Sequence, residues 1–358
     1  AGPASLWRYE ALLPGGPGLD RVDLGAGFTP LRRADRLGTT LGLRALWIKD
    51  DSVNPSYSFK DRVVSIAATM ARAFGFEALS CASTGNLANA AAAAAAHAGM
   101  PCYVFVPDDL ERAKILATET YGAKVVAVKG NYDDVNRLCA EVAETLPWAF
   151  VNVNMRPYYA EGSKTLGFET AEQLGWRLPD HVVVPIASGA LLTKIHRAFQ
   201  ELVAIGAVEE KAYRVSGAQP EGCRPVAQAF KNRAEEVTPV KPDTIARSLA
   251  IGSPADGYFA LRVARETGGV IEWCTEAEIL DGIKLLASTE GVFTETAGGV
   301  TIANLKRLVD QGVIGPEEEV VAYVTGNGYK TVEAFEGSVE PSYYHVAPDL
   351  DEFLAALR

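Results

Sequence analysis

The stretch ALSCASTGNLANAAAAAAAHAG, residues 78–99, places a strand, a turn and a helix in immediate succession. Its first residues are apolar or small on both faces, as in a strand covered by helices on each side of a sheet. Hydroxyls and a glycine follow in the turn, and the alanine-rich run that ends at Gly99 is typical of a tightly packed helix. This arrangement is the repeating unit of an α/β protein.

The same pattern recurs along the chain and predicts parallel sheets covered by helices. Further apolar, β-branched runs lie at 44–50, 101–107, 123–130, 148–154, 181–188, 213–219, 268–274 and 319–326. Helical spacing is found at 61–75, at 131–146, which starts with a cap at Asn131, and at 275–288, which opens with a capping box of Thr275 and Glu278.

The strands between residues 78 and 154 form a compact run of their own, which predicts two lobes. We expect a small α/β domain, residues 66–155, inserted into a large domain made of residues 1–65 and 156–358. The cleft between two such lobes is a usual place for a ligand.

Composition narrows the class of protein. The 358 residues carry a formal net charge of −11 with no basic stripe, so nucleic acid is not an expected partner. The five cysteines are scattered and form no C-x-x-C pair, and the four histidines lack metal-ligand spacing. No apolar run reaches the length of a membrane span, and no signal pattern is present at the start of the sequence. We expect a cytoplasmic protein without a metal.

The stretch NPSYSFKDR, residues 54–62, places Lys60 in the first turn of a helix, with Ser58 as the expected cap. The positive end of a helix disfavours an ammonium group, and an amine that loses its charge becomes a nucleophile. The alternative interpretation is an ordinary surface lysine.

Three further turns follow predicted strands. STGN (83–86) and SGALLT (188–193) each precede a helix, where free backbone N–H groups bind anions, and TGNG (325–328) ends the last strand. Each of these stretches, taken alone, is also consistent with an ordinary turn, and for SGALLT and TGNG the ordinary turn is the favoured interpretation.

Together, in this order, the motifs resemble the fold-type II pyridoxal phosphate enzymes, and most closely the threonine synthase family. The resemblance extends from GFTPL (27–31) to TGNGYK (325–330), and EGSKTLGFE (161–169) is similar to the family's E-G-x-K-T-x-x-F-E. It implies a two-lobed fold like the tryptophan synthase β chain, the cofactor pyridoxal 5′-phosphate and a homodimer.

The resemblance also implies roles for single residues. Lys60 would hold the cofactor covalently, Phe59 would flank its ring, and Asn86 would bind its 3′-oxygen. Thr325 would face the pyridine nitrogen. The cofactor phosphate would lie against Gly189, Ala190, Leu191, Leu192 and Thr193, and the substrate carboxylate against Ser83, Thr84 and Asn86.

The implied reaction converts O-phospho-L-homoserine and water into L-threonine and phosphate. The family commonly has an arginine just before E-G-x-K-T for the substrate phosphate, whereas this chain has Tyr158 and Tyr159 there. We therefore expect Arg156, with Asn152 and Asn154, to bind that phosphate. Tyr57 and the SGALLT turn also depart from the family pattern.

Three alternatives remain at this point. One is a β-replacement enzyme that acts on O-phosphoserine, as cysteate synthase does. Another is a threonine dehydratase relative. The third is a non-catalytic binding module of the same fold, which the presence of Lys60 disfavours.

Overall fold

The chain folds into two sheets, and the computed structural model describes residues 2–108, 115–130, 132–339 and 343–357. All nine predicted strands form, and one more precedes them. In chain order the strands are β1 (Leu31–Arg33), β2 (Ala45–Asp50), β3 (Ala78–Ala82), β4 (Cys102–Pro107), β5 (Lys124–Val128), β6 (Trp148–Phe150), β7 (His181–Pro185), β8 (Arg214–Pro220), β9 (Ile271–Cys274) and β10 (Glu319–Val324).

The larger sheet has the strand order β1-β2-β10-β7-β8-β9, and the smaller has the order β5-β4-β3-β6. Every pairing is parallel except that of β1 with β2. The prediction of an α/β fold with parallel sheets is confirmed. β1 was not predicted, because its sequence LRR is short and exposed at two of three positions, so it lacks the apolar run of a covered strand.

Helices cover both sheets. They are α1 (Asp35–Leu41), α2 (Lys60–Ala73), α3 (Asn86–Ala98), α4 (Leu116–Thr120), α5 (Tyr132–Thr145), α6 (Arg156–Gly162), α7 (Lys164–Gln173), α8 (Ala190–Ala204), α9 (Pro225–Lys231), α10 (Gly257–Glu266), α11 (Glu276–Glu290), α12 (Thr296–Asp310) and α13 (Leu350–Ala356). The capping box of α11 is confirmed, since Thr275 and Glu278 bond each other's backbone N–H groups. The cap expected at Asn131 lies outside the described residues. In the described ranges, no helix is long and apolar enough to cross a membrane.

The alanine run of α3 lies in the hydrophobic core. Ala90 to Ala95 are at most 4% exposed, and all of them except Ala93 pack with α2 in one apolar cluster beside the small sheet. Side chains this small allow neighbouring backbones to approach closely, which explains the low-complexity sequence.

The two-domain division stays a prediction, but the sheets agree with its outline. The four strands of the small sheet lie within residues 78–150, and the strands of the large sheet lie outside that range. The boundary expected between residues 65 and 66 falls inside α2, a continuous helix that packs against both α3 and α6.

Candidate active site

Two loops that are distant in sequence form the floor of the site. Phe59 N–H donates to the carbonyl of Thr325 at 2.9 Å, and Asn327 N–H donates to the carbonyl of Tyr57 at 3.0 Å. Tyr57 has a φ of 64°, a left-handed conformation that is uncommon for a bulky side chain. This antiparallel pairing brings the start of α2 beside the end of β10, so that Lys60 and Thr325 share one cavity.

The prediction that Ser58 caps α2 is wrong. The helix begins at Lys60 and has no side-chain cap, because Ser58 is held in an antiparallel bridge with Gly326. The acid of the first turn is engaged instead: Asp61 accepts hydrogen bonds from the Ser56 N–H and hydroxyl at 2.7 and 2.6 Å. These bonds fix the loop that leads into Lys60.

A buried ionic network holds α2 in place. Arg62 donates to Asp51 at 2.6 Å and to Glu169 at 2.7 Å, and Lys49 donates to Glu169 at 2.7 Å. These four side chains are completely buried. Burial alone would raise the pKa of Glu169, but the charges of Arg62 and Lys49 outweigh it and lower that pKa to about 2. The network joins the ends of two motifs, SFKDR and EGSKTLGFE, and so fixes the helix that carries Lys60.

The cavity is partly open to solvent. The cavity wall includes seven of the predicted site residues, namely Phe59, Lys60, Asn86, Gly189, Ala190, Leu191 and Thr325. Ser83 and Thr84 lie in the turn just before α3, outside this wall.

The SGALLT turn presents the N-terminus of α8 to the cavity. Gly189 has a φ of 96°, and a Cβ atom there would lie 2.7 Å from the backbone oxygen of Asp256, so glycine is required. Leu192 is buried in the core, and the Thr193 hydroxyl donates to the carbonyl of Ala190 at 2.9 Å. The first turn of a helix has N–H groups without intrahelical partners, so this turn can bind an anion through its backbone.

Lys60 is held by aromatic neighbours. Its Nζ donates to the hydroxyl of Tyr159 on α6 at 2.7 Å, and it lies 4.5 Å from the centre of the Phe59 ring. Tyr158 is directed elsewhere, since its ring packs 5.3 Å from that of Phe74. Of the two tyrosines that replace the expected arginine, only Tyr159 lines the cavity.

Sequence reasoning missed Glu295, a buried acid in the cavity wall. Its carboxylate accepts a hydrogen bond from the Asn86 amide at 2.8 Å. Burial raises the pKa of Glu295, and the hydrogen bond from Asn86 offsets this only in part. In sequence, an acid just before a helix is an ordinary feature, so no signal distinguished it.

The expected substrate-phosphate cluster does not assemble at the cavity. The Asn154 amide is engaged locally, because it accepts from Phe150 N–H at 2.8 Å and donates to the Trp148 carbonyl at 3.0 Å. The structure therefore assigns Asn154 to the turn after β6. Arg156 begins α6 and pairs with Asp256 at 2.5 Å, outside the cavity wall.

The groups around the cavity fit pyridoxal phosphate. They supply a primary amine from Lys60, a helix N-terminus suited to a phosphate, an amide at Asn86 and a hydroxyl residue, Thr325, within one wall.

Comparisons with known proteins agree with this chemistry. The profile of the family described as "Pyridoxal-phosphate dependent enzyme" matches residues 22–326. The threonine synthase of Methanocaldococcus jannaschii is 38% identical over 94% of this chain and 83% of its own. That of Methanosarcina acetivorans is 37% identical over 90% and 79%, and that of Mycobacterium tuberculosis is 34% identical over 92% and 89%.

Solved structures share the fold at lower identity. Diaminopropionate ammonia lyase from Escherichia coli superposes with a TM-score of 0.73 at 18% identity, covering 87% of this chain and 88% of that one. O-ureido-L-serine synthase gives 0.71 at 22% identity, covering 95% and 100%. The fold is therefore that of these enzymes. The threonine synthases, each more than 30% identical to this chain, identify a narrower family within that fold. The chain belongs to the pyridoxal-phosphate dependent enzymes and, within them, to the threonine synthase family.

Proposed function

We propose that the protein converts O-phospho-L-homoserine and water into L-threonine and phosphate. The observation that carries the proposal is the position of Lys60, whose amine lies in one cavity with the N-terminus of α8. The similarity to threonine synthases over nine-tenths of the chain supports the substrate.

We assign the cofactor to this cavity. Lys60 would anchor it, the backbone N–H groups that follow Gly189 would bind its phosphate, and Asn86 and Thr325 would contact its ring. When bound, pyridoxal phosphate supplies an electron sink that weakens the bond between Cα of an amino acid and its proton. A threonine hydroxyl near the pyridine nitrogen cannot hold a full positive charge there as a carboxylate would.

Lys60 is the residue we assign to proton transfer. Among the described residues that line the cavity, Lys60 is the one that carries a primary amine. A free amine at that point can accept the Cα proton of the substrate, pass it on, and then accept a Cβ proton as phosphate leaves from Cγ. The amine returns protons to the carbon skeleton after the hydroxyl of water adds at Cβ, so that the net change is loss of phosphate and gain of water.

Substrate recognition would use two anion contacts. The N-terminal turn of α3, with Ser83, Thr84 and Asn86, is our proposed contact for the substrate carboxylate. For the substrate phosphate we propose Arg156, because a guanidinium suits a dianion. Arg156 would have to exchange its bond to Asp256 for the phosphate, since the two now pair at 2.5 Å.

The test is a comparison of substrates. The loaded enzyme is incubated separately with O-phosphohomoserine, with O-phosphoserine plus sulfite, and with threonine, and phosphate, threonine, cysteate and 2-oxobutyrate are measured. We expect phosphate and threonine from the first mixture. Phosphate release from O-phosphoserine alone would replace the proposal with a β-replacement reaction, and 2-oxobutyrate alone would indicate a dehydratase.

The Arg156 contact has a separate test. Arg156→Ala should raise KM for O-phosphohomoserine about tenfold or more with little change in kcat, because a charge contact to the substrate is lost in both ground and transition states. Asp256→Asn, which frees Arg156, should leave KM equal or lower. An unchanged KM in Arg156→Ala would remove Arg156 from the substrate site.

We also propose that the enzyme is a homodimer in the cytoplasm, as the family resemblance implies. Light scattering of the purified protein tests the oligomeric state, and a mass near 38.2 kDa would identify a monomer instead.

A further inference from the structure

We propose that Tyr159 is a positioning residue for the reaction, and that its hydroxyl holds the amine of Lys60 at the cavity wall. The inference rests on the proposed function only in taking Lys60 as the reacting group. The observation that supports it is the hydrogen bond of 2.7 Å from Lys60 Nζ to Tyr159 Oη.

The bond restrains a flexible side chain. A lysine carries about 2 kcal/mol of rotamer entropy, so its amine is not held at one point without a partner. Here the Phe59 ring lies 4.5 Å from Nζ and the Tyr159 ring 5.4 Å from it, and the Tyr159 hydroxyl accepts a hydrogen bond from Nζ. A tyrosine oxygen can accept this hydrogen bond, whereas an arginine at the same position has no acceptor and would add a like charge.

The backbone places Tyr159 at this point. α6 lies directly against α2, because a Cβ atom at Gly162 would come within 2.6 Å of Val63 Cα and 2.7 Å of the Arg62 carbonyl oxygen. Residues three apart on a helix share a face, so the close approach at Gly162 brings Tyr159 to the first turn of α2. The tyrosine and the glycine therefore act as one unit, in which Gly162 sets the helix separation that the hydroxyl needs.

The neighbouring tyrosine provides a matched control. Tyr158 is on the same helix, but its ring packs 5.3 Å from Phe74 and does not line the cavity. Removing one hydroxyl from each position thus compares the contact to Lys60 with an equal chemical change on the same helix.

The experiment compares Tyr159→Phe and Tyr158→Phe with wild type. The first readout is the rate at which apoprotein captures added pyridoxal phosphate, followed by absorbance and by borohydride reduction with peptide mapping to Lys60. The second is kcat and KM for O-phosphohomoserine, and the third is Tm.

In Tyr159→Phe we expect the capture rate and kcat each to fall roughly 10- to 100-fold, as loss of one charge-assisted hydrogen bond to the reacting group predicts. KM should change less than about threefold, and Tm should stay within about 2 °C, because the phenyl ring keeps the packing. Tyr158→Phe should match wild type in all three readouts.

Two results would overturn the proposal. A capture rate and kcat within twofold of wild type in Tyr159→Phe would show that the hydroxyl does not position Lys60. A rise in KM alone would make Tyr159 a substrate contact instead. The proposed function fails separately, if wild type releases no phosphate from O-phosphohomoserine; slower cofactor capture by Tyr159→Phe would still support the positioning role in that case.

Discussion

Lys60 carries the most specific prediction for a single residue. It begins α2 and lies in the cavity wall. In Lys60→Ala we expect turnover to fall below detection and borohydride to attach no cofactor, because the amine that forms the covalent link is gone. The fold should persist, as judged by circular dichroism. Lys306→Ala, on the exposed face of α12, is the control; a trapped adduct in Lys60→Ala would identify another lysine as the anchor.

We expect Glu295 to favour cofactor binding at the expense of stability. It is 2% exposed, and burial raises its pKa, so the folded state disfavours its ionised form. A group whose pKa is raised on folding stabilises the fold at low pH, and this contribution is lost as pH rises. The ionised carboxylate is therefore the less favourable form in the fold, and its hydrogen bond to Asn86 and the charges of Lys330 and Lys60 offset this only in part.

Glu295→Gln should consequently be more stable and bind the cofactor less well. We expect Tm to rise by about 1–2 °C at pH 7.5, the shift that about 1 kcal/mol produces in a chain of this size. The affinity of apoprotein for pyridoxal phosphate should fall, because a glutamine can turn its own NH2 towards Asn86 and no longer fixes that amide. Asp281→Asn, on the exposed face of α11, is the control, and a lower Tm in Glu295→Gln would contradict this expectation.

At the scale of elements, strands were predictable where they are covered on both faces. β7 is buried at every position and reads as an apolar run, whereas the edge strand β1 has two arginines in three residues and carries no such signal. Turns after strands could be located in the same way, because glycine and hydroxyl residues interrupt the apolar pattern.

Side-chain pairs within the site could not be predicted from local patterns. Lys60 and Tyr159 are 99 residues apart, and Asn86 and Glu295 are 209 residues apart. The first contact depends on how α2 packs with α6 and the second on how α3 lies relative to α12, and periodicity within one helix carries no information on the distance to another. The structure, and not the sequence pattern, shows that Tyr159 and Glu295 line the cavity and that Asn154 does not.

The α8 turn gives a prediction for an element. If its backbone binds the cofactor phosphate, Gly189→Val should weaken cofactor affinity strongly, because a side chain there meets the Asp256 carbonyl at 2.7 Å and requires a left-handed backbone. Leu191→Ala should lower Tm, as truncation of a buried leucine does, but change the dissociation constant little. Both quantities are measured on each variant, and equal losses of affinity would argue against a backbone contact.

At the scale of the whole molecule, a buried histidine links the stability of the large sheet to pH. His181 begins β7 and is fully buried, with Nε2 2.7 Å from the Ser216 hydroxyl. Burial lowers its pKa, the charge of Arg214 lowers it further, and Glu318 and Asp180 act in the opposite direction, with a result of about 4. The folded state thus holds His181 neutral over a range in which the unfolded chain binds a proton.

The sign of the pH dependence follows from this shift. Between pH 6.5 and about 4 the unfolded state takes up a proton at His181 that the folded state does not, so stability falls as pH falls. The loss is at most about 3.4 kcal/mol, from 1.36 kcal/mol for each unit of pKa difference. Below about pH 4.5 a second loss begins, because Glu169, with a pKa of about 2, remains ionised in the fold but not in the unfolded chain.

Urea unfolding at pH 7.5, 6.0, 5.0 and 4.5 separates the two groups. We expect the free energy of unfolding of wild type to fall across this series, mainly between pH 6.0 and 4.5. His181→Gln removes the titrating ring and can still bond Ser216, so its unfolding free energy should start lower at pH 7.5 and decline less steeply. His97→Gln, on the surface end of α3, should keep the wild-type slope. Parallel slopes in wild type and His181→Gln would show that other groups control the acid sensitivity of the sheet.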